Sequence, residues 1–72
     1  MAVGRRVREL RQQLQISQEE LADRADLHRN YVGSVERGER DVGITSVGRL
    51  AAALGVSLAD FFSPFRQRPK RG

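Results

Sequence analysis

Arg29, Asn30 and Ser34 are hydrogen-bonding side chains at helical spacing, with His28 directly before them. Arg can pair bidentately with the O6 and N7 of guanine and Asn with the N6 and N7 of adenine, while Ser can donate or accept. Gly33 lies among them and removes bulk where a groove wall would approach. Set on the outer face of one helix, these groups have the chemistry to read base edges in a DNA major groove. Catalysis has no comparable support. One histidine, no cysteine and no evident pair of acid–base carboxylates leave no nucleophile–base constellation, so an enzyme is rejected. No metal-ligand cluster is evident, and neither a cofactor nor a small-molecule ligand is expected.

A reading helix must be held by its neighbours, and apolar spacing predicts what they are. Val3, Val7, Leu10 and Leu14 recur at i, i+4, i+7 and i+11, an amphipathic helix that ends near Gln15 with Arg5, Arg6 and Arg8 on its exposed face. Ser17-Gln18-Glu19-Glu20 forms a capping box, and Ile16 with Leu21 a hydrophobic staple, so a second helix runs over 18–25. After the turn Asp26-Leu27-His28, a third helix spans 29–37, with Val32 and Val35 inward and Gly38 as its stop. A polar loop follows. Thr45 is the expected cap of a fourth helix, 46–54, with Val47, Leu50, Ala51 and Leu54 on one stripe and Gly55 after it. Ser57 caps a fifth, 58–62. Pro64 and Pro69 argue against regular structure beyond. No segment alternates as a strand would. The expectation is an all-α, compact five-helix domain over 1–63 with a basic, flexible tail over 64–72, and two short helices joined by a tight turn make a helix-turn-helix.

Size and charge narrow the reading further. Seventy-two residues provide one core, with no cysteine to staple it. No apolar run could span a membrane, and the N-terminus has no apolar signal core, so a cytoplasmic location is expected. Residues 1–65 hold nine Lys/Arg and nine Asp/Glu, and the excess of +4 lies in Arg66, Arg68, Lys70 and Arg71. The first eleven residues are basic, whereas 17–27 are acidic, which suits a polyanion on one side of the molecule.

Ile16-Ser17-Gln18-Glu19-Glu20-Leu21-Ala22, Tyr31-Val32-Gly33-Ser34-Val35-Glu36-Arg37-Gly38 and Leu50-Ala51-Ala52-Ala53-Leu54-Gly55-Val56-Ser57 together resemble the Cro/lambda-repressor-like (XRE) helix-turn-helix family over about residues 3–62. Leu27-His28-Arg29-Asn30-Tyr31 and Glu36-Arg37-Gly38-Glu39-Arg40 look most like the restriction–modification controller proteins. The resemblance implies a lambda-repressor-like fold and a homodimer on an inverted-repeat DNA operator. It places Arg29, Asn30, Ser34 and His28 at bases, and Gln18, Tyr31, Arg37, Arg40, Thr45 and Ser46 at phosphates. Arg11 and Glu36 match a buried pair that orients the third helix. Glu39 and Asp41 depart from the pattern, since relatives often carry basic residues there.

Adjacent helical residues point about 100° apart, so Phe61 and Phe62 are not easily both buried. Phe61 is assigned to the core, and Val56, Leu58, Phe62 and Phe65 to a dimer interface. Glu19, Glu20 and Asp23 are candidate contacts for RNA polymerase. The function expected is a sequence-specific transcriptional regulator of its own gene and the endonuclease gene. The alternative is an antitoxin-like or other protein-interaction module of the same fold with weak DNA selectivity.

Overall fold

Helices form where the apolar spacing predicts them. The computed structural model describes residues 2–65. They comprise α1 (Ala2–Gln13), α2 (Gln18–Ala25), α3 (Arg29–Glu36), α4 (Ile44–Leu54) and α5 (Leu58–Phe61), then a 3₁₀ turn at Ser63–Phe65. The residues from Arg66 on, with most of the basic tail, lie outside the described residues. Val7, Leu21, Val32, Val35, Leu50 and Phe61 form the fully buried centre, to which every α-helix contributes. Each such side chain contributes about 1.5–3 kcal/mol by leaving water.

The caps differ in detail from expectation. Ser17 Oγ accepts the Glu20 N–H at 2.9 Å and Ser57 Oγ the Asp60 N–H at 3.0 Å, as their positions predict. The capping box is only half made, because the Glu20 carboxylate pairs with Arg24 at 2.8 Å instead of reaching back. Thr45 is not a cap. The helix starts two residues earlier, Gly43 takes the cap position in extended conformation, and its carbonyl accepts from Val47 at 3.0 Å. Glycine is acceptable there, but it has no side chain to satisfy the first N–H groups of α4. Ser63–Phe65 is likewise more ordered than its proline suggests. Pro64 sits in the opening turn, where its missing N–H costs nothing, and Ser63 Oγ donates to the Asp60 carbonyl at 3.0 Å.

Helices α1 to α4 all close on a residue with left-handed backbone: Gln15, Asp26, Gly38 and Gly55. Each closure returns paired hydrogen bonds to the preceding turn, such as Leu27 N–H to the Ala22 carbonyl at 2.9 Å and Val56 N–H to the Ala51 carbonyl at 3.0 Å. The reversal at Gln15 ends α1 two residues early and leaves Leu14 44% exposed, outside the core stripe it was assigned to.

Gly4 sets how closely α1 approaches α3. A Cβ on it would collide with the Val35 carbonyl oxygen and lie 3.1 Å from that of Glu36. Both obstacles are backbone at the end of α3, so neither can swing aside. Gly4→Ala gains about 1 kcal/mol in helix propensity but overpacks this contact by about 1–3 kcal/mol or more. The expected outcome is a lower Tm in a circular-dichroism melt; a raised Tm would contradict the close approach.

Candidate nucleic-acid interface

Helix α3 is placed by a hydrogen-bonded network under it. Glu36 is the buried charged residue of the described core, 8% exposed. Arg11 of α1 donates from Nε to Oε2 at 2.7 Å and from Nη2 to Oε1 at 3.0 Å. Its Nη1 donates to the Ile16 carbonyl at 2.9 Å, tying the same guanidinium to the α1–α2 connection. Gln18, the first residue of α2, donates from Nε2 to Glu36 Oε1 at 3.0 Å. Hydrogen bonding to Glu36 raises the Arg11 pKa above its ordinary value, outweighing the opposing effect of burial, and the Glu36 charge adds to it. Arg11 therefore stays charged across the physiological range. The orienting role inferred for Arg11 and Glu36 fits this geometry, and Gln18 is a third member that the sequence did not disclose.

The turn between α2 and α3 is short and defined at both ends. Asp26 ends α2 with φ +58°, and Arg49 of α4 donates to its carbonyl at 3.3 Å. His28 then caps α3, its Nδ1 accepting the Asn30 N–H at 3.1 Å. That nitrogen must be unprotonated to accept, so His28 acts first on the helix that carries Asn30.

Gln18, Arg29, Asn30, Gly33, Ser34 and Arg37 line one open cleft of about 340 Å³. Every base-reading candidate except His28 is here, beside two phosphate candidates. Arg29 is exposed and has no ion-pair partner among the described residues. Ser34 Oγ donates to the Asn30 carbonyl at 2.6 Å, which leaves its lone pairs to accept. Gly33 is buried rather than outward: a Cβ there would stand 3.1 Å from Arg37 Nη1 and 3.5 Å from Gln18 Oε1. Its missing side chain makes room for those two groups, not for a groove wall.

The remaining candidates sit around this cleft or away from it. Arg37 is held by Glu39, with Nε to Oε2 at 3.0 Å. This contact raises the Arg37 pKa and lowers that of Glu39, through the hydrogen bond first and charge second. Arg40 stacks over the half-buried Tyr31 ring at 5.7 Å. Thr45 is exposed and Ser46 half-buried in the first turn of α4, where no side chain caps the helix. Arg6 is not part of an exposed basic face. It donates to the carbonyls of Phe61 and Asp60, both at 2.8 Å, and so clamps α5 to α1. Phe62 is half-buried against the core, edge-on to Phe61 at 4.9 Å, and Val56 also packs there. Leu58 is 44% exposed, and the Phe65 side chain lies outside the described residues. Ile44, which the sequence reading overlooked, is 72% exposed at the start of α4. No described helix is long and apolar enough to cross a membrane.

A helix-turn-helix whose second helix presents hydrogen-bonding groups into an open cleft defines a DNA-binding module. The helix-turn-helix family pattern matches residues 7–61, and the chain belongs to that family, of the XRE type. Within it the chain is similar to the control protein C.BamHI of Bacillus amyloliquefaciens, 41% identical over 79% of this chain and 72% of the relative. Control protein C.MunI of a Mycoplasma species is 36% identical over 83% of this chain and 82% of its own length. Among solved structures, the restriction–modification controller protein C.AhdI of Aeromonas hydrophila superposes with a TM-score of 0.80 at 45% identity, covering 83% of this chain and 91% of that one. Wild-type C.Esp1396I, another such controller, gives 0.81 at 31% identity, over 85% and 78%. The chain is a DNA-binding transcription regulator of the restriction–modification controller type, and not an enzyme.

Two substitutions test this geometry. Glu36→Ala leaves Arg11 without its carboxylate and costs about 3–5 kcal/mol, lowering Tm and DNA affinity together. An unchanged melt would contradict the network. His28→Ala removes the cap and costs about 0.5–2 kcal/mol, whereas His28→Asn restores most of the stability. Equal melts for the two variants would show that the cap contributes nothing.

Proposed function

We propose that the protein reads an inverted-repeat DNA operator as a homodimer and regulates its own gene together with that of the associated endonuclease. The observation that carries this reading is the single cleft shared by Gln18, Arg29, Asn30, Ser34 and Arg37. Arg29 has free donors for guanine O6 and N7, and Asn30 presents an amide suited to adenine. Ser34, its proton engaged by the Asn30 carbonyl, favours a base that offers an amino group. Gln18 at the start of α2, Arg37, the Tyr31–Arg40 pair, and Thr45 and Ser46 in the uncapped first turn of α4 hold phosphates on either side.

Val56, Leu58, Phe62 and Phe65 provide the dimer contact. Two-fold symmetry then sets the recognition helices about 34 Å apart, one DNA turn. No ligand is needed to switch such a regulator, because its own concentration sets both dimerisation and occupancy. The exposed acids Glu19, Glu20 and Asp23 on α2 are offered to RNA polymerase. The work is done in the cytoplasm, beside the DNA. The relatives' description as restriction–modification controllers supports the genetic setting.

Selection from a random duplex library at about 150 mM salt tests the reading, because phosphate attraction is partly screened there. The expected result is an enriched inverted repeat whose half-site preferences change on Arg29→Ala or Asn30→Ala. Binding without enrichment, collapsing as salt rises, would refute it and favour a protein-interaction module.

A further inference from the structure

Helix α3 ends in a way that fixes Glu39 beside Arg37. Gly38 turns the chain with φ +75°, its N–H donating to the Val35 carbonyl at 3.0 Å, and the Glu39 N–H donates to the Ser34 carbonyl at 2.9 Å. The backbone of Glu39 is thus tied to the last turn of the helix, and its carboxylate meets Arg37 Nε at 3.0 Å. The Arg37 guanidinium lies back over Gly33, with Nη1 beside the space a Cβ would take, and forms a wall of the cleft. The two arginines of the cleft therefore differ: Arg29 is uncompensated among the described residues, and Arg37 carries its own counter-ion.

We propose that Glu39 is an intramolecular competitor for phosphate at Arg37, lowering the affinity of the protein for DNA of arbitrary sequence. This rests on the reading of Arg37 as a phosphate contact. Both partners are more than half exposed, at 58% and 57%, so solvent screens the pair and it opens readily. A tightly locked pair would remove Arg37 from binding altogether. An exposed one gives way to a backbone phosphate brought into register with it. On DNA held by charge alone, the carboxylate stays near the phosphates and cancels one cation of the few on this face. Sequence-independent binding grows with the number of phosphates neutralised, so that single cancellation bears on it directly.

The test measures Kd for a mixed-sequence duplex of a few helical turns over a range of salt, with the wild-type chain, Glu39→Gln, Arg37→Gln and the double variant. Glu39→Gln is expected to bind about 2–5-fold tighter at low salt, with log Kobs falling more steeply against log salt by about 0.9. Arg37→Gln binds more weakly, and the double variant matches it. If Arg37→Gln weakens binding but Glu39→Gln does not strengthen it, the competitor role is overturned and the phosphate reading of Arg37 stands. Equal tightening by Glu39→Gln with and without Arg37 also overturns it, since the effect is then general repulsion. If Arg37→Gln retains wild-type affinity and slope, the phosphate reading fails and the competitor role falls with it. Melting curves should be unchanged in all three variants because the pair is exposed.

Discussion

The Glu36 carboxylate is where α1, α2 and α3 meet, and the placement of α3 depends on it. It accepts from two atoms of Arg11 and from Gln18, while Arg11 also holds the Ile16 carbonyl. Desolvation offsets much of the attraction in such a pair, so what it supplies is direction more than net stability. Gly4 complements it by setting distance, since α1 rests directly on the carbonyls at the end of α3. Direction and distance together leave α3 little freedom to roll. All buried side-chain polar atoms among the described residues have partners, as a network of this kind requires.

On that foundation the cleft combines two kinds of cation. Residues 1–65 are neutral overall, and the cations in and beside the cleft differ in how far they are committed to other groups. Arg29 has no ion-pair partner among the described residues, Arg37 is restrained by Glu39, and Arg40 leans on Tyr31. A cleft with few uncommitted cations gains less from phosphate charge alone, and a larger share of any affinity there must come from fit.

Much of this was legible in the sequence, and what was not has physical causes. Ser17 and Ser57 cap because their hydroxyls can reach an N–H three residues on, a purely local property. Gly38 and Gly55 end their helices because they adopt left-handed backbone without cost. Asp26 tolerates the same conformation and lay in a turn the sequence predicted, whereas Gln15 adopts it against its preference, so its residue type did not announce it. Thr45 has the right chemistry for a cap but lost the position to Gly43. Arg6 clamps carbonyls more than fifty positions away, and Gln18 reaches Glu36 across a helix pair; such contacts leave no trace in spacing. Gly33 was recognised as special, yet its partners proved to be side chains of the protein itself.

The four left-handed closures also govern time. Each reversal is made by hydrogen bonds to the turn just before it, so the chain changes direction without waiting for distant segments to meet. Helical folds built from local contacts form in about microseconds to milliseconds. Folding on that scale is short beside the seconds that synthesis of the chain takes. For a transcription regulator, folding then adds little to the delay between synthesis and a working domain.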